Sequence, residues 1–199
     1  MVATIQNLLA TCAVAFDLPI LDWIQATLRS GFMDTVMPII TLFGEDGLFW
    51  IAWSVLLILF PKTRKIGLGM AFAMAMGLLL CNVTLKPLIA RPRPYDFQLT
   101  EFGKEITLLI EAQHDFSFPS GHTIASFEAA VVLLKNSKKM GIPAMILAIL
   151  VAFSRMYLYV HYPTDVLVSI VLGTILALIG DALAGLVAPK LIKKGKFER

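Results

Sequence analysis

The chain has 199 residues, 58% of them hydrophobic and only 16% charged, with a mean hydropathy of +0.79. One soluble core of this length cannot bury that much apolar surface, which excludes an ordinary soluble domain and makes lipid the solvent for much of the chain. The formal net charge of +3 comes from basic clusters at the ends of apolar runs, a mark of membrane topology that gives no sign of nucleic-acid binding.

Residues 2–16 are apolar but short, and no Lys or Arg precedes Arg29, so the basic flank of a signal peptide is missing. Residues 18–28 set Leu18, Leu21, Ile24 and Leu28 at helical spacing against Asp22, Gln25 and Arg29, which suits a helix lying in the membrane interface. A shorter apolar run follows at 47–60, and residues 66–85 are long enough to cross a hydrocarbon core of ~30 Å at ~1.5 Å per residue. A connector at 86–119 leads to an interrupted apolar run at 118–134, then to full-length runs at 142–160 and 164–188 joined by the short turn His161–Tyr162–Pro163. The expected fold is all-α, a polytopic transmembrane helical bundle of five to six spans, the count depending on the N-terminal stretch. It divides into N-terminal apolar and interfacial helices (1–45), a membrane core (46–190) and a basic tail (191–199). Cys12 and Cys81 lie far apart in apolar stretches and read as small buried hydrophobes, not as a disulfide or metal pair.

Lys62, Arg64 and Lys65, then Lys135, Lys138 and Lys139, then Lys190, Lys193, Lys194, Lys196 and Arg199 fall on one face of the predicted bundle. The positive-inside rule makes that face, and the C-terminus, cytoplasmic. The 86–119 connector and the His161 turn then face the other side.

Three stretches on that side carry chemistry. In "KPLIARPRPYDF", Lys86 ends a span, and Arg91 and Arg93 alternate with prolines that keep the backbone extended. In "DFSFPSGHTIASF", Ser120 is a good N-cap and Gly121 and His122 open a helix whose first N–H groups have no intrahelical acceptor, a ready anion site. In "SRMYLYVHYPTD", Arg155 is a cation near the end of an apolar span, and His161 and Asp165 flank Pro163, which suits the first turn of the next helix. Each stretch has a bland reading alone: a headgroup-binding strip, an ordinary helix start, a capped turn. Their convergence at one depth on one side supplies three cations, a helix N-terminus, two histidines and a carboxylate. That inventory fits a phosphoryl group, with anionic oxygens to neutralise, a leaving oxygen to protonate and a phosphorus to attack.

Lys86, six residues, Arg93–Pro94; Pro119–Ser120–Gly121–His122; and Ser154–Arg155, five residues, His161, three residues, Asp165 together resemble the three-part signature of the phosphatidic acid phosphatase type 2 family. That family includes bacterial undecaprenyl-pyrophosphate and phosphatidylglycerophosphate phosphatases and shares its active site with vanadium haloperoxidases. The resemblance spans residues 86–165 and says little about residues 1–60. It implies a membrane lipid phosphatase working through a phosphohistidine: His161 as nucleophile, Asp165 accepting its other ring N–H, and His122 serving the leaving group and then the water. Lys86, Arg93, Arg155, Ser120 and Gly121 would hold the phosphoryl oxygens. No metal and no cofactor is expected, and the substrate is a lipid phosphate or pyrophosphate, undecaprenyl pyrophosphate first, with phosphatidylglycerophosphate or phosphatidic acid next.

The remaining polar residues have structural readings. Arg91 is assigned to lipid headgroups, His114 to a loop, and Asp181 to a span end within reach of water. Glu128 would be protonated or paired with Asn82 or Thr84. Gly67, Gly69, Ala71, Ala73 and Ala75 would let helices pack closely. Two rivals remain: a phosphatase of water-soluble phosphates, and a transporter or scaffold that binds phospholipid without hydrolysis, for which a histidine–carboxylate pair has no use.

Overall fold

Helix starts in this chain are written in its serines and prolines. Ser30, Ser120 and Ser137 each cap a helix by accepting from the backbone N–H three residues on, at 3.3, 3.4 and 3.4 Å, and Pro94 and Pro163 open two others, where a missing N–H costs nothing. A computed structural model describes residues 2–194 and the side chains of 4–189; among these residues every regular element is helical. The N-terminal helix comprises α1 (Val2–Cys12) and α2 (Leu18–Thr27), joined through a π-helical turn at Ala13–Asp17. Then come α3 (Gly31–Leu42), α4 (Leu48–Leu59) and α5 (Arg64–Gly77), which continues through π-helical Leu78–Leu85 into α6 (Lys86–Ile89). After α7 (Pro94–Phe102) and a long loop follow α8 (Gly121–Asn136), α9 (Lys138–Tyr157) and α10 (Pro163–Lys194). Of the tail expected at 191–199, residues 195–199 lie outside the described residues and 191–194 extend α10.

The core sits where α4, α5, α8, α9 and α10 meet, around Trp50, Met70, Phe127, Leu133 and Ala148. Two hydrogen bonds join these helices in a region without water to compete: Trp50 Nε1 donates to Ser126 Oγ at 3.0 Å, and Ser54 Oγ to the Gly67 carbonyl at 2.8 Å. At one end of the bundle lie the basic clusters around residues 62–65 and 135–139. There Asp181, expected within reach of water, is only 4% exposed. Its carboxylate is held by Lys135 at 2.8 Å and Asn136 at 2.8 Å, with Lys65 at 3.9 Å, because α5 and α8 close over it.

Among the described residues, four helical stretches have the length and hydropathy to cross a membrane: Thr4–Thr27, Arg64–Phe102, Lys138–Tyr157 and Pro163–Pro189. Gly31–Leu42 and Glu45–Leu59, bent by 41°, pass the same test as a pair. The chain is therefore a multi-pass membrane protein. Two elements depart from a simple count. The 16-residue α8 is shorter than the others, about 24 Å long, yet it packs against α4, α5, α9 and α10 and is the most internal helix. The N-terminal helix is long enough to span, but its partners all sit at the end away from the basic clusters. Gln6 donates to the Ile89 carbonyl at 2.9 Å, Lys104 to Asp22 at 3.0 Å, and Gln25 to the Tyr157 carbonyl at 2.7 Å. A helix whose first and last turns touch one end of a bundle lies across that end.

Candidate active site

The end covered by the N-terminal helix is also where the three chemistry-bearing stretches meet. Lys86 opens α6, Arg93 precedes α7, Gly121 and His122 form the first turn of α8, and His161 lies in the turn between α9 and α10. All five line one cavity of about 410 Å³. Ser120, Arg155 and Asp165 stand behind that wall, fully buried. From this mouth the cavity runs between α4 and α5 past Ile51, Val55, Ala71, Met74, Ala75 and Leu78, so Ala71 and Ala75, read as packing residues, also line a passage.

The turn that presents His161 is held from both sides. Tyr159 takes a left-handed conformation (φ 61°), and the N–H groups of Val160 and His161 both reach the Arg155 carbonyl, at 3.2 and 3.3 Å. Arg93 Nη1 donates to the Val160 carbonyl at 2.8 Å and faces His161 Nε2 at 3.3 Å. A guanidinium has only donors, so the ring nitrogen facing it carries the lone pair and the proton resides on Nδ1. Nδ1 points toward Asp165 Oδ2 at 3.6 Å. That is longer than a hydrogen bond, and Nδ1 has no other partner. The expected His161–Asp165 bond is therefore a near contact, for a simple reason: the carboxylate is already engaged. Ser117 Oγ and the Tyr162 N–H (3.1 Å) donate to Oδ2, and Arg91 Nη1 donates to Oδ1. Burial, then the positive charges of Arg93, Arg155 and Lys86, push the His161 imidazole well below its usual pKa.

The cations have an occupant that the sequence did not announce. Asp115 pairs through one carboxylate oxygen with Lys86 and through the other with Arg93, whose Nε also donates to the Asp115 carbonyl at 2.9 Å. Partial burial alone would raise this carboxyl, but Lys86 and Arg93 hold it well below the usual carboxylate range. Its side chain is 53% exposed and belongs to the loop before α8. Arg155 has no carboxylate: Nη1 donates to Thr41 Oγ1 at 2.6 Å, while Nε and Nη2 are buried without partners. Two orphaned guanidinium donors are costly unless an anion completes them.

The start of α8 is prepared in the same way. Ser120 Oγ accepts from Thr123 N–H, and the Ser120 N–H is taken by Ser169 Oγ at 2.8 Å. The N–H groups of Gly121 and His122 remain in the first turn, where no intrahelical acceptor exists. Gly44 lets α8 and α9 approach this point: a Cβ there would stand 2.7 Å from Val151 and 3.0 Å from His122.

Arg91 is a correction. Assigned from sequence to lipid headgroups, it is 4% exposed and bonded to Asp165, to Asp17 and to Thr164. Of the two readings of Glu128, pairing with Asn82 or Thr84 is not seen, and a buried carboxyl without a partner fits the other, the protonated acid. Thr84 donates to the Leu79 carbonyl at 2.8 Å, and Glu128 Oε1 has no partner, seated where a Cβ at Gly77 would strike it at 2.2 Å. His114 is an exposed loop residue, and among the described residues no group of three or more His, Cys, Asp or Glu side chains converges as a metal site.

Known proteins are similar to this chain in sequence and in fold. The PAP2 superfamily model matches residues 66–184. An undecaprenyl-diphosphatase of Sulfolobus acidocaldarius is 34% identical over 143 residues, covering 71% of this chain and 66% of the relative. The undecaprenyl-diphosphatase BcrC of Bacillus subtilis is 28% identical over 161 residues, covering 81% and 80%. Among solved structures, LpxE of Aquifex aeolicus superposes with a TM-score of 0.71 at 26% identity, over 83% of this chain and 94% of that one. A transmembrane PAP2 type phosphatidylglycerolphosphate phosphatase of Bacillus subtilis does so at 0.69 and 26%, over 94% and 95%. Sequence, fold and the meeting of the three motifs agree, and the chain belongs to the PAP2 superfamily.

Proposed function

We propose that this chain hydrolyses a lipid phosphate or pyrophosphate, undecaprenyl pyrophosphate first and phosphatidylglycerophosphate or phosphatidic acid next, through a phosphohistidine at the extracytoplasmic face. The observation that carries the reading is the shared cavity: two histidines, two cations and a helix start line its mouth, and an apolar passage between α4 and α5 leads away from it. A substrate with an anionic head and a long hydrocarbon tail matches both parts. The relatives named undecaprenyl-diphosphatase support the choice of lipid, and the basic clusters at the opposite end support the outward orientation.

His161 is neutral at physiological pH because burial and three cations disfavour its charged form, and its Nε2 lone pair faces the cations that would hold the phosphate. The substrate head displaces Asp115 from Lys86 and Arg93. Nε2 then attacks the terminal phosphorus, the bond to the bridging oxygen breaks, and undecaprenyl phosphate leaves with a proton from His122. Burial and the cations Arg155, Arg93 and Lys86 by themselves disfavour the His122 imidazolium; the bound anionic head offsets those cations, so that His122 takes up its proton with the substrate. His122 next takes a proton from water, whose oxygen attacks phosphorus, releases orthophosphate and restores His161. Lys86, Arg93, the orphaned donors of Arg155 and the first-turn N–H groups of α8 stabilise the charge on the five-coordinate phosphorus, while Ser120 shapes that turn. Asp165, 3.6 Å from Nδ1, closes to a hydrogen bond as the imidazole gains positive charge.

The test is phosphate release by purified protein in detergent with EDTA. Undecaprenyl pyrophosphate, phosphatidylglycerophosphate, phosphatidic acid and glucose 6-phosphate are compared, with His161→Ala as control. Release from the first at the highest kcat/KM, lost in the variant, is expected. Equal release from glucose 6-phosphate would contradict the lipid reading, and no release from any would favour a non-catalytic lipid binder.

A further inference from the structure

Resting on the reading of His161 as nucleophile, we propose that Arg91 and Asp17 are positioning residues, through which the N-terminal helix holds the Asp165 carboxylate against His161. Asp17 lies on the π-helical turn between α1 and α2, outside the matched family region and outside the three-part signature. Its side chain is nevertheless fully buried, as is that of Asp165, and Arg91 between them is 4% exposed. Arg91 Nη2 donates to Asp17 Oδ2 at 2.8 Å and to the Leu9 carbonyl at 3.2 Å, while Nη1 donates to Asp165 Oδ1 and to Thr164 Oγ1 at 2.9 Å. The guanidinium also lies over the Tyr162 ring at 3.6 Å.

Asp17 does more than neutralise. Its Oδ1 accepts from the Thr164 N–H at 2.9 Å and its Oδ2 from Thr164 Oγ1 at 2.7 Å, tying it to the first turn of α10 one residue from Asp165. Every strong donor around Asp165 is thus committed. Arg91 holds Oδ1, Ser117 and the Tyr162 N–H hold Oδ2, and the charged or titratable groups facing it are Arg91, His161 and Tyr162, with Asp17 behind Arg91. A lysine at 91 would keep the charge but lack the planar fork that serves two carboxylates at once. Removing Arg91 leaves two buried carboxylates without their cation and releases Asp165 Oδ1, so that the carboxylate is held through Oδ2 alone and can pivot about it. A nucleophile displaced by about 1 Å can lose ~100-fold in rate.

The experiment measures kcat and KM of the full chain on undecaprenyl pyrophosphate for Arg91→Gln, Arg91→Lys, Asp17→Asn and the Asp17→Asn, Arg91→Gln double variant, with detergent-phase unfolding temperatures alongside. Arg91→Gln is expected to lower kcat about 100-fold with KM within about twofold, Arg91→Lys to recover about tenfold of that, and Asp17→Asn to cost about fivefold. The double variant should be no slower than Arg91→Gln alone, because both act through one contact. A rise in KM with kcat unchanged would overturn the inference in favour of a headgroup role, and so would losses that multiply in the double variant. If Arg91→Gln does not fold, Asp17→Asn decides alone, an unchanged kcat overturning the proposal. Absence of turnover in the unmutated chain defeats the lipid-phosphatase reading; turnover that Arg91→Gln leaves intact defeats only this inference.

Discussion

The two ends of the bundle each hold one aspartate between two cations, and they use the motif in opposite ways. At the basic end, Asp181 sits between Lys135 and Lys65, its side chain 5% exposed and also held by Asn136. It is carried by a helix and packed by two others, so nothing can replace it. At the other end Asp115 sits between Lys86 and Arg93, its side chain 53% exposed on a loop at the mouth of a cavity. Water and other anions reach that carboxylate, and of the cations it neutralises Arg93 is buried and Lys86 mostly so, with side chains 3% and 12% exposed. The same charges make a clamp where the carboxylate is enclosed and, in the proposed function, an exchangeable anion site where it is not.

Substitutions at each end should separate these roles. The largest effect belongs to the proposed nucleophile: His161→Ala should lower kcat by at least ~10³-fold while leaving the unfolding temperature nearly unchanged. Asp181→Ala should do the reverse, costing about 2 kcal/mol, less than a fully buried pair because both lysines are half exposed, with kcat within about twofold. Detergent-phase thermal unfolding and steady-state kinetics on the same preparations check both. Asp115→Asn should strengthen inhibition by orthophosphate about tenfold, since the neutral amide competes less for Lys86 and Arg93. A weakened inhibition would mean that Asp115 organises the cations instead of occupying them. The smallest effect is in the pH profile. His161 lies well below the usual 6.5, so it stays neutral as pH falls through that value, and the acid limb of kcat/KM should lie below pH 6.5. A limb at or above 6.5 would contradict the neutral, cation-flanked nucleophile.

The parts of this molecule legible in the sequence were those written locally. Ser120, Pro163 and the apolar runs at 66–85, 142–160 and 164–188 announced helix starts and spans, and the topology drawn from the apolar runs and basic clusters put Lys86, Arg93, His122, Arg155, His161 and Asp165 at one end. Residues 31–42 gave no such signal. Asp34, Thr35 and Pro38 interrupt the pattern, and the helix forms half of a bent pair whose other half begins after Gly44. The partners of Asp165 were also hidden, for a different reason. Arg91 is 74 residues from both Asp17 and Asp165, and an arginine between prolines looks the same in sequence whether it meets lipid or two buried carboxylates. Asp115 stood inside a quoted motif without a role, since only the fold carries Lys86 and Arg93 to it.

The claim that His161 carries the phosphoryl group is tested most directly by mixing the protein, in EDTA, with undecaprenyl pyrophosphate labelled on its terminal phosphate. The reaction is quenched in alkaline denaturant, which preserves phosphoramidates, and the labelled peptide is identified. The mechanism predicts label on the peptide containing His161 and none in His161→Ala. Label on another residue, or steady turnover with no labelled protein at any quench time, would contradict it.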